Sequence, residues 1–192
     1  MISVRRKCSA RITAGLVLML ALAACGSSDD KVSGDTSTTT KGKPSASGPI
    51  RTVTATDYEY AGITDPIVAG TRLVLHNEAP VELHEMVVVR RPAGETRTAA
   101  EIAKLPEAEL DAILGGGPPA LVMLARPGED GKVAVGKAAL PPGEYIAFCA
   151  IPQGVDPDEY FDPKNQTADG PPNVEGGPPH FTLGMAGDLT VE

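Results

Sequence analysis

The sequence contains no tryptophan, and only 4% of its 192 residues are aromatic. A hydrophobic core must therefore be built mainly from Val, Leu, Ile and Ala. Basic residues are in the minority too: 17 Lys and Arg stand against 25 Asp and Glu, which gives a net charge of -8. Phosphate backbones and anionic lipid surfaces repel such a chain, so the charge balance excludes nucleic acid as an expected partner.

The short motifs of common enzyme classes are absent as well. The sequence has no nucleophile elbow, no zinc-protease helix motif and no phosphate-binding loop. We therefore expect a protein that is not an enzyme.

The one long apolar run lies near the start of the chain. Four basic residues, Arg5, Arg6, Lys7 and Arg11, precede residues 12–23, which carry no charge. The run is short for a membrane-spanning helix, which needs about 20 apolar residues. Basic start and short apolar core together fit a signal peptide.

The run ends in Leu22-Ala23-Ala24-Cys25, which resembles the lipobox of bacterial lipoproteins. The resemblance implies that the chain is cut before Cys25 and that Cys25 carries acyl chains, which anchor by burying methylene groups. We expect a lipoprotein signal peptide at 1–24, then the lipidated cysteine and a flexible linker at 25–48, whose Ser, Thr and Gly cannot form a core. The expected location is outside the cytoplasm, anchored to membrane lipid through Cys25.

Cysteine is scarce in the remaining domain, residues 49–192. Cys8 lies in the signal peptide and Cys25 at the lipidation site, so Cys149 is left alone. No disulfide can form within this domain, and a lone thiol in an oxidising compartment needs a reason. It is a buried inert residue, an intermolecular link or a metal ligand.

The domain reads as an all-β fold with one helical insert. Turn residues separate about seven strand-like segments, which is typical of a β-sandwich; the segments are 53–60, 66–70, 72–77, 85–91, 132–139, 144–151 and 181–191. Thr98 and Glu101 have the spacing of a capping box before an apolar helical pattern. We interpret this helical insert as a decoration that covers one open end of the sandwich, in preference to a lid over a site.

Four residues have the chemistry of a copper site. Cys149 ends a predicted strand, His84 begins another, and Met185 follows His180 by five residues. Thiolate and thioether are soft ligands, and imidazole suits copper. Two His and one Cys with a weak axial Met form the copper arrangement used for electron transfer.

With these residues in the order His84, Cys149, His180 and Met185, the domain resembles the cupredoxins, the small blue copper proteins. Residues 142–145 before the cysteine strand and 184–187 after His180 match the family pattern too. The resemblance implies a Greek-key β-sandwich, one copper ion held by these four residues, and one-electron transfer to a protein partner near the membrane.

Two features depart from the family pattern. Cys149 and His180 lie 31 residues apart, where the family has only a few residues, and Glu85 follows His84 in place of an amide. Long loops cost little, since doubling the length adds about 0.6 kcal/mol of closure free energy. We therefore expect the segment to extrude and to return His180 to Cys149.

Two other functions fit the same residues. One is copper delivery to an accepting protein, and the other is a metal-free cupredoxin-like module that binds a partner. We interpret His76 as a surface or edge residue. The acidic residues of 156–162 lack the pattern of a calcium loop and are interpreted as a solvated loop.

Overall fold

The computed structural model describes residues 48–168 and 170–192. The expected signal peptide, Cys25 and nearly all of the linker lie outside the described residues, so those expectations stay predictions. Within the described ranges, no helix is both long and apolar enough to cross a membrane.

Strands dominate the described part of the chain. They are β1 (Ile50–Thr56), β2 (Glu59–Ala61), β3 (Arg72–Asn77), β4 (His84–Arg90), β5 (Leu121–Ala125), β6 (Lys132–Gly136), β7 (Gly143–Phe148) and β8 (Ala186–Val191). The helices are short: α1 (Ala99–Ile102), α2 (Glu107–Leu114) and α3 (Pro157–Phe161).

The strands form two sheets, as a β-sandwich requires. One sheet has the order β2-β1-β3 and the other β6-β5-β4-β7-β8. β1 and β3 run parallel, while the pairs of the larger sheet are antiparallel. Apolar side chains at alternate positions enter the core between the sheets, among them Val53, Leu75, Met86 and Leu121. The predicted all-β sandwich with a helical insert is confirmed.

The helical insert lies where the sequence did not lead us to expect it. Thr98 and Glu101 form the predicted capping box. Ile102 then packs with Val89 and Ile146 in a second apolar cluster, which covers β4 and β7 on the side away from the main core. The insert thus covers the outer face of the larger sheet, and the expectation that it closes an end of the sandwich was wrong.

Two further details differ from the predicted strands. The expected strand at 66–70 is reduced to a single bridge between Ile67 and Val191, while β5, which we did not predict, lies beside β4. The acidic loop contains a helix, because the Asp156 side chain caps the free backbone N–H groups of Asp158 and Glu159 and Pro157 begins α3.

Candidate metal centre

The larger sheet brings His84 and Cys149 to the same edge. His84 is the first residue of β4, and Cys149 directly follows β7. β4 and β7 are antiparallel neighbours, with Val87 opposite Phe148. The start of β4 therefore lies beside the end of β7. There the Glu85 N–H donates a hydrogen bond to the Cys149 sulfur, with 3.4 Å between nitrogen and sulfur.

Backbone hydrogen bonds return His180 to this edge despite the long loop. The Gln153 N–H donates to Pro178 O and the Gly177 N–H to Gln153 O. Nearer the site, the His180 N–H donates to Ile151 O at 3.0 Å. These bonds form a short two-stranded base for the long loop, whose Val155 and Tyr160 pack into the main core. The expected return of His180 to Cys149 is observed.

Three side chains converge at this point. The distance from Cys149 Sγ to His180 Nδ1 is 3.4 Å, and the distance from His180 Nδ1 to His84 Nδ1 is 3.2 Å. One ligand atom from each of the three residues lies within 4.8 Å of the others. All three residues are fully buried, so water does not compete for these atoms.

Met185 joins the centre through its backbone. Its carbonyl accepts a hydrogen bond of 3.1 Å from the Cys149 N–H, and its N–H donates to His180 O. Its side chain is fully buried. These bonds keep the predicted fourth ligand close to two of the others, while the role of its sulfur as an axial ligand stays a prediction.

Burial sets the protonation of the three converging side chains. It lowers the pKa of His84 to about 4, with a further lowering by His180, because a charged imidazole is poorly solvated there. Burial lowers the pKa of His180 as well, against the attraction of Glu82. It raises the pKa of the Cys149 thiol, and the nearby Glu85 carboxylate raises it further. At neutral pH the metal-free centre therefore holds two neutral imidazoles and a thiol.

Glu85 ties β4 to the cysteine segment. Its carboxylate accepts a 3.0 Å hydrogen bond from the Ala150 N–H, and its carbonyl accepts one from the Tyr60 hydroxyl. Burial raises the Glu85 pKa to about 7, although the Ala150 bond opposes the rise. Glu85, the carboxylate that directly follows His84 in the sequence, thus links the start of β4 to the cysteine segment.

Glu82, Tyr58 and Gln153 cover His180, and sequence reasoning did not identify them. The Tyr58 ring meets the His180 ring edge to face, with centroids 5.0 Å apart. Gln153 Nε2 donates to the Tyr58 hydroxyl at 2.7 Å, and the hydroxyl lies 3.4 Å from Glu82 Oε1. Tyr58 has a φ of 65°, which is uncommon for a bulky side chain and is typical of a functional site. The position of Glu82 two residues before His84 was the available signal.

The donor set fits a copper ion. The nitrogens that meet in the centre are the two Nδ1 atoms, whereas His84 Nε2 and His180 Nε2 lack a hydrogen-bond partner within the part of the chain that the structure describes. Two imidazoles and a sulfur that face one another in a dry site suit a soft, tetrahedral or trigonal metal such as copper. His76, by contrast, lies in β3 and pairs with Asp130 at 2.8 Å, as expected of a surface residue.

Comparisons with known proteins give structural matches only. No family model and no curated protein sequence matches the chain. A dithionite-reduced auracyanin from Roseiflexus castenholzii is similar over 77% of this chain and 99% of its own, at 17% identity and a TM-score of 0.40. Auracyanin A, a "blue" copper protein from Chloroflexus aurantiacus, is similar over 76% and 100%, at 22% identity and a TM-score of 0.41. Auracyanin B is similar over 75% and 88%, at 19% identity and a TM-score of 0.40.

Proposed function

We propose that this chain is a cupredoxin-like protein that binds one copper ion and carries single electrons outside the cytoplasm. The observation that supports this most directly is the buried convergence of His84, Cys149 and His180 at one edge of a rigid sheet. When bound, copper supplies a one-electron couple between Cu(I) and Cu(II).

The chain prepares its side chains for that role. His84 and His180 are neutral at neutral pH because burial lowers each pKa, so each offers a lone pair without losing a proton. Cys149 gives up its thiol proton when it binds, because the thiolate is the metal ligand. Met185 is the proposed weak axial ligand.

Burial favours electron transfer over copper delivery. Delivery needs an acceptor to replace the ligands one by one, whereas His84, Cys149 and His180 have no exposed surface. His84 begins β4, Cys149 directly follows β7, and the hydrogen-bonded loop base holds His180. A site held on three sides changes little in shape when it gains or loses an electron, and an electron carrier has no need of catalytic groups.

The proposed location rests on the sequence. The order of features is the one that a lipoprotein signal requires: a basic start, then an apolar core, then the residues Leu22-Ala23-Ala24-Cys25. An acyl group on Cys25 and a polar linker would hold the domain near a membrane, where a redox protein partner could reach it.

A copper titration followed by visible absorption tests the proposal. We expect one Cu(II) per chain and a strong band from thiolate-to-copper charge transfer. A protein that binds Cu(I) tightly and shows no such band on oxidation would favour the copper-delivery function. A protein that binds neither ion would contradict both functions.

A further inference from the structure

A carboxylate faces the outer nitrogen of His180. Glu82 Oε2 lies 3.4 Å from His180 Nε2, on the ring edge opposite the nitrogen that points to Cys149 and His84. His180 Nε2 has no other polar partner in the described ranges. The Glu82 side chain is only 12% exposed, so water screens the charge weakly.

Several contacts hold Glu82 in this place. The fully buried Asn77 donates to the Glu82 carbonyl at 2.8 Å and so fixes its backbone. The Gly154 N–H donates to Glu82 Oε2 at 3.1 Å, and the Tyr58 hydroxyl lies 3.4 Å from Oε1. The carboxylate is therefore positioned from the β3–β4 connection, the β1–β2 turn and the long loop at once.

We propose that Glu82 is a positioning residue, which keeps the His180 proton on Nε2 and so leaves Nδ1 free to bind metal. An outer carboxylate commonly orients a metal-binding histidine and raises its basicity. The proposal rests on the proposed copper function, because it names the residue that orients one of that site's ligands.

The same carboxylate favours the oxidised site. Two neutral imidazoles and one thiolate leave a net charge of +1 with Cu(II) and of zero with Cu(I). The negative charge of Glu82 lies beside this set, and it stabilises the more positive state. Removing the charge should therefore raise the reduction potential.

The proton arrangement can be measured without metal. His180 with its proton on Nε2 presents a bare Nδ1, which can accept a proton shared by His84 Nδ1 or by the Cys149 thiol. Nitrogen-15 NMR of the imidazoles in the full-length metal-free protein at pH 8 should show His180 as the Nε2–H form. Replacing Glu82 with leucine (Glu82→Leu) should make the two forms of His180 comparable in population.

The reduction potential supplies the second test. Glu82→Gln keeps the size of the side chain and removes its charge, while Glu78→Gln removes an exposed carboxylate from the same β3–β4 connection. We expect Glu82→Gln to raise the preference for Cu(I) over Cu(II) at least tenfold, which is about 59 mV for one electron. Glu78→Gln should leave the potential near that of the unmodified protein.

The two tests separate this proposal from the copper function. His180 found in the Nδ1–H form, or an unchanged ratio in Glu82→Leu, would overturn the positioning role even if copper binds. Equal potentials in the two glutamine variants would also overturn it. A chain that fails to bind copper but shows the predicted forms of His180 would refute the copper function and support the positioning role.

Discussion

His84 Nδ1 and His180 Nδ1 lie 3.2 Å apart, although 96 residues separate the two histidines in the chain. Both nitrogens are buried, and Cys149 Sγ lies 3.4 Å from the second. One ligand atom from each of the three residues lies within 4.8 Å of the others, close enough for the three to bind a single cation.

Copper binding should release a proton from Cys149. Burial raises the pKa of this thiol, so it is protonated in the metal-free protein, whereas both histidines are already neutral. Calorimetric titration at pH 8 in buffers of different ionisation enthalpy should give about one proton released per ion. A value near zero would mean that Cys149 is not the ligand.

The metal-free protein should lose stability as pH rises through 7, because of Glu85. Its pKa is about 7 in the folded state and 4.5 in the unfolded chain, so the folded protein holds the extra proton between those values. The stabilisation that Glu85 gives the folded state is complete below pH 4.5 and is lost as pH rises through 7. This loss is a change of roughly 3 kcal/mol in the free energy of unfolding.

Glu85→Gln tests this pH dependence by denaturant unfolding at pH 5 and pH 9. His84, whose low pKa acts in the opposite direction as pH falls from 6.5 through 4, is common to both proteins. The glutamine variant should therefore lose less stability than the unmodified protein between the two pH values. Parallel losses would show that Glu85 does not hold a proton in the folded state.

The helical insert should stabilise the fold without shaping the metal centre. Ile102 is 1% exposed and packs on the outer face of the larger sheet. Ile102→Ala should cost about 2–4 kcal/mol of unfolding free energy, while the visible copper spectrum stays unchanged. Val68→Ala, at a position 67% exposed, is the control and should cost little. A changed spectrum in Ile102→Ala would place the insert within the centre.

The base of the long loop should control metal affinity. A Cβ atom on Gly176 would lie 2.6 Å from the Pro152 side chain and 2.9 Å from that of Val155, so Gly176→Ala must push the two strands of the base apart. Such overpacking costs about 1–3 kcal/mol, and we expect weaker copper binding because His180 lies just beyond. Gly116→Ala, whose added methyl group meets open space, should bind copper as tightly as the unmodified protein does. Equal copper affinities in the two alanine variants would contradict this role of the base.

The metal-binding chemistry of a few residues, and their order along the chain, predicted much of the metal centre. A lone thiol with two histidines and a methionine is a distinctive donor set, and this set identified His84, Cys149 and His180 as candidate ligands. The structure brings these three residues together. The strands around them were predictable because the apolar residues of β4 and β7 are consecutive and bounded by turns.

Other elements depended on contacts that the sequence does not display. β5 is an apolar run of five residues, short enough to suit a buried strand or a turn of helix, and it becomes a strand by pairing with β4. Glu82 reads as an ordinary loop residue until Asn77 and Gly154 fix its backbone and carboxylate from distant parts of the chain. Tyr58 likewise gains its role only when the fold places His180 beneath its ring.

Visible absorption of the full-length protein and its Cys149→Ser variant, both titrated with Cu(II) in detergent, tests the central claim most directly. Serine keeps the shape of the side chain while removing the sulfur. We predict a strong thiolate-to-copper band in the unmodified protein, saturating at one ion per chain, and no such band in the variant. An unmodified protein without the band, or a variant that keeps it, would contradict the assignment of Cys149 to a copper centre.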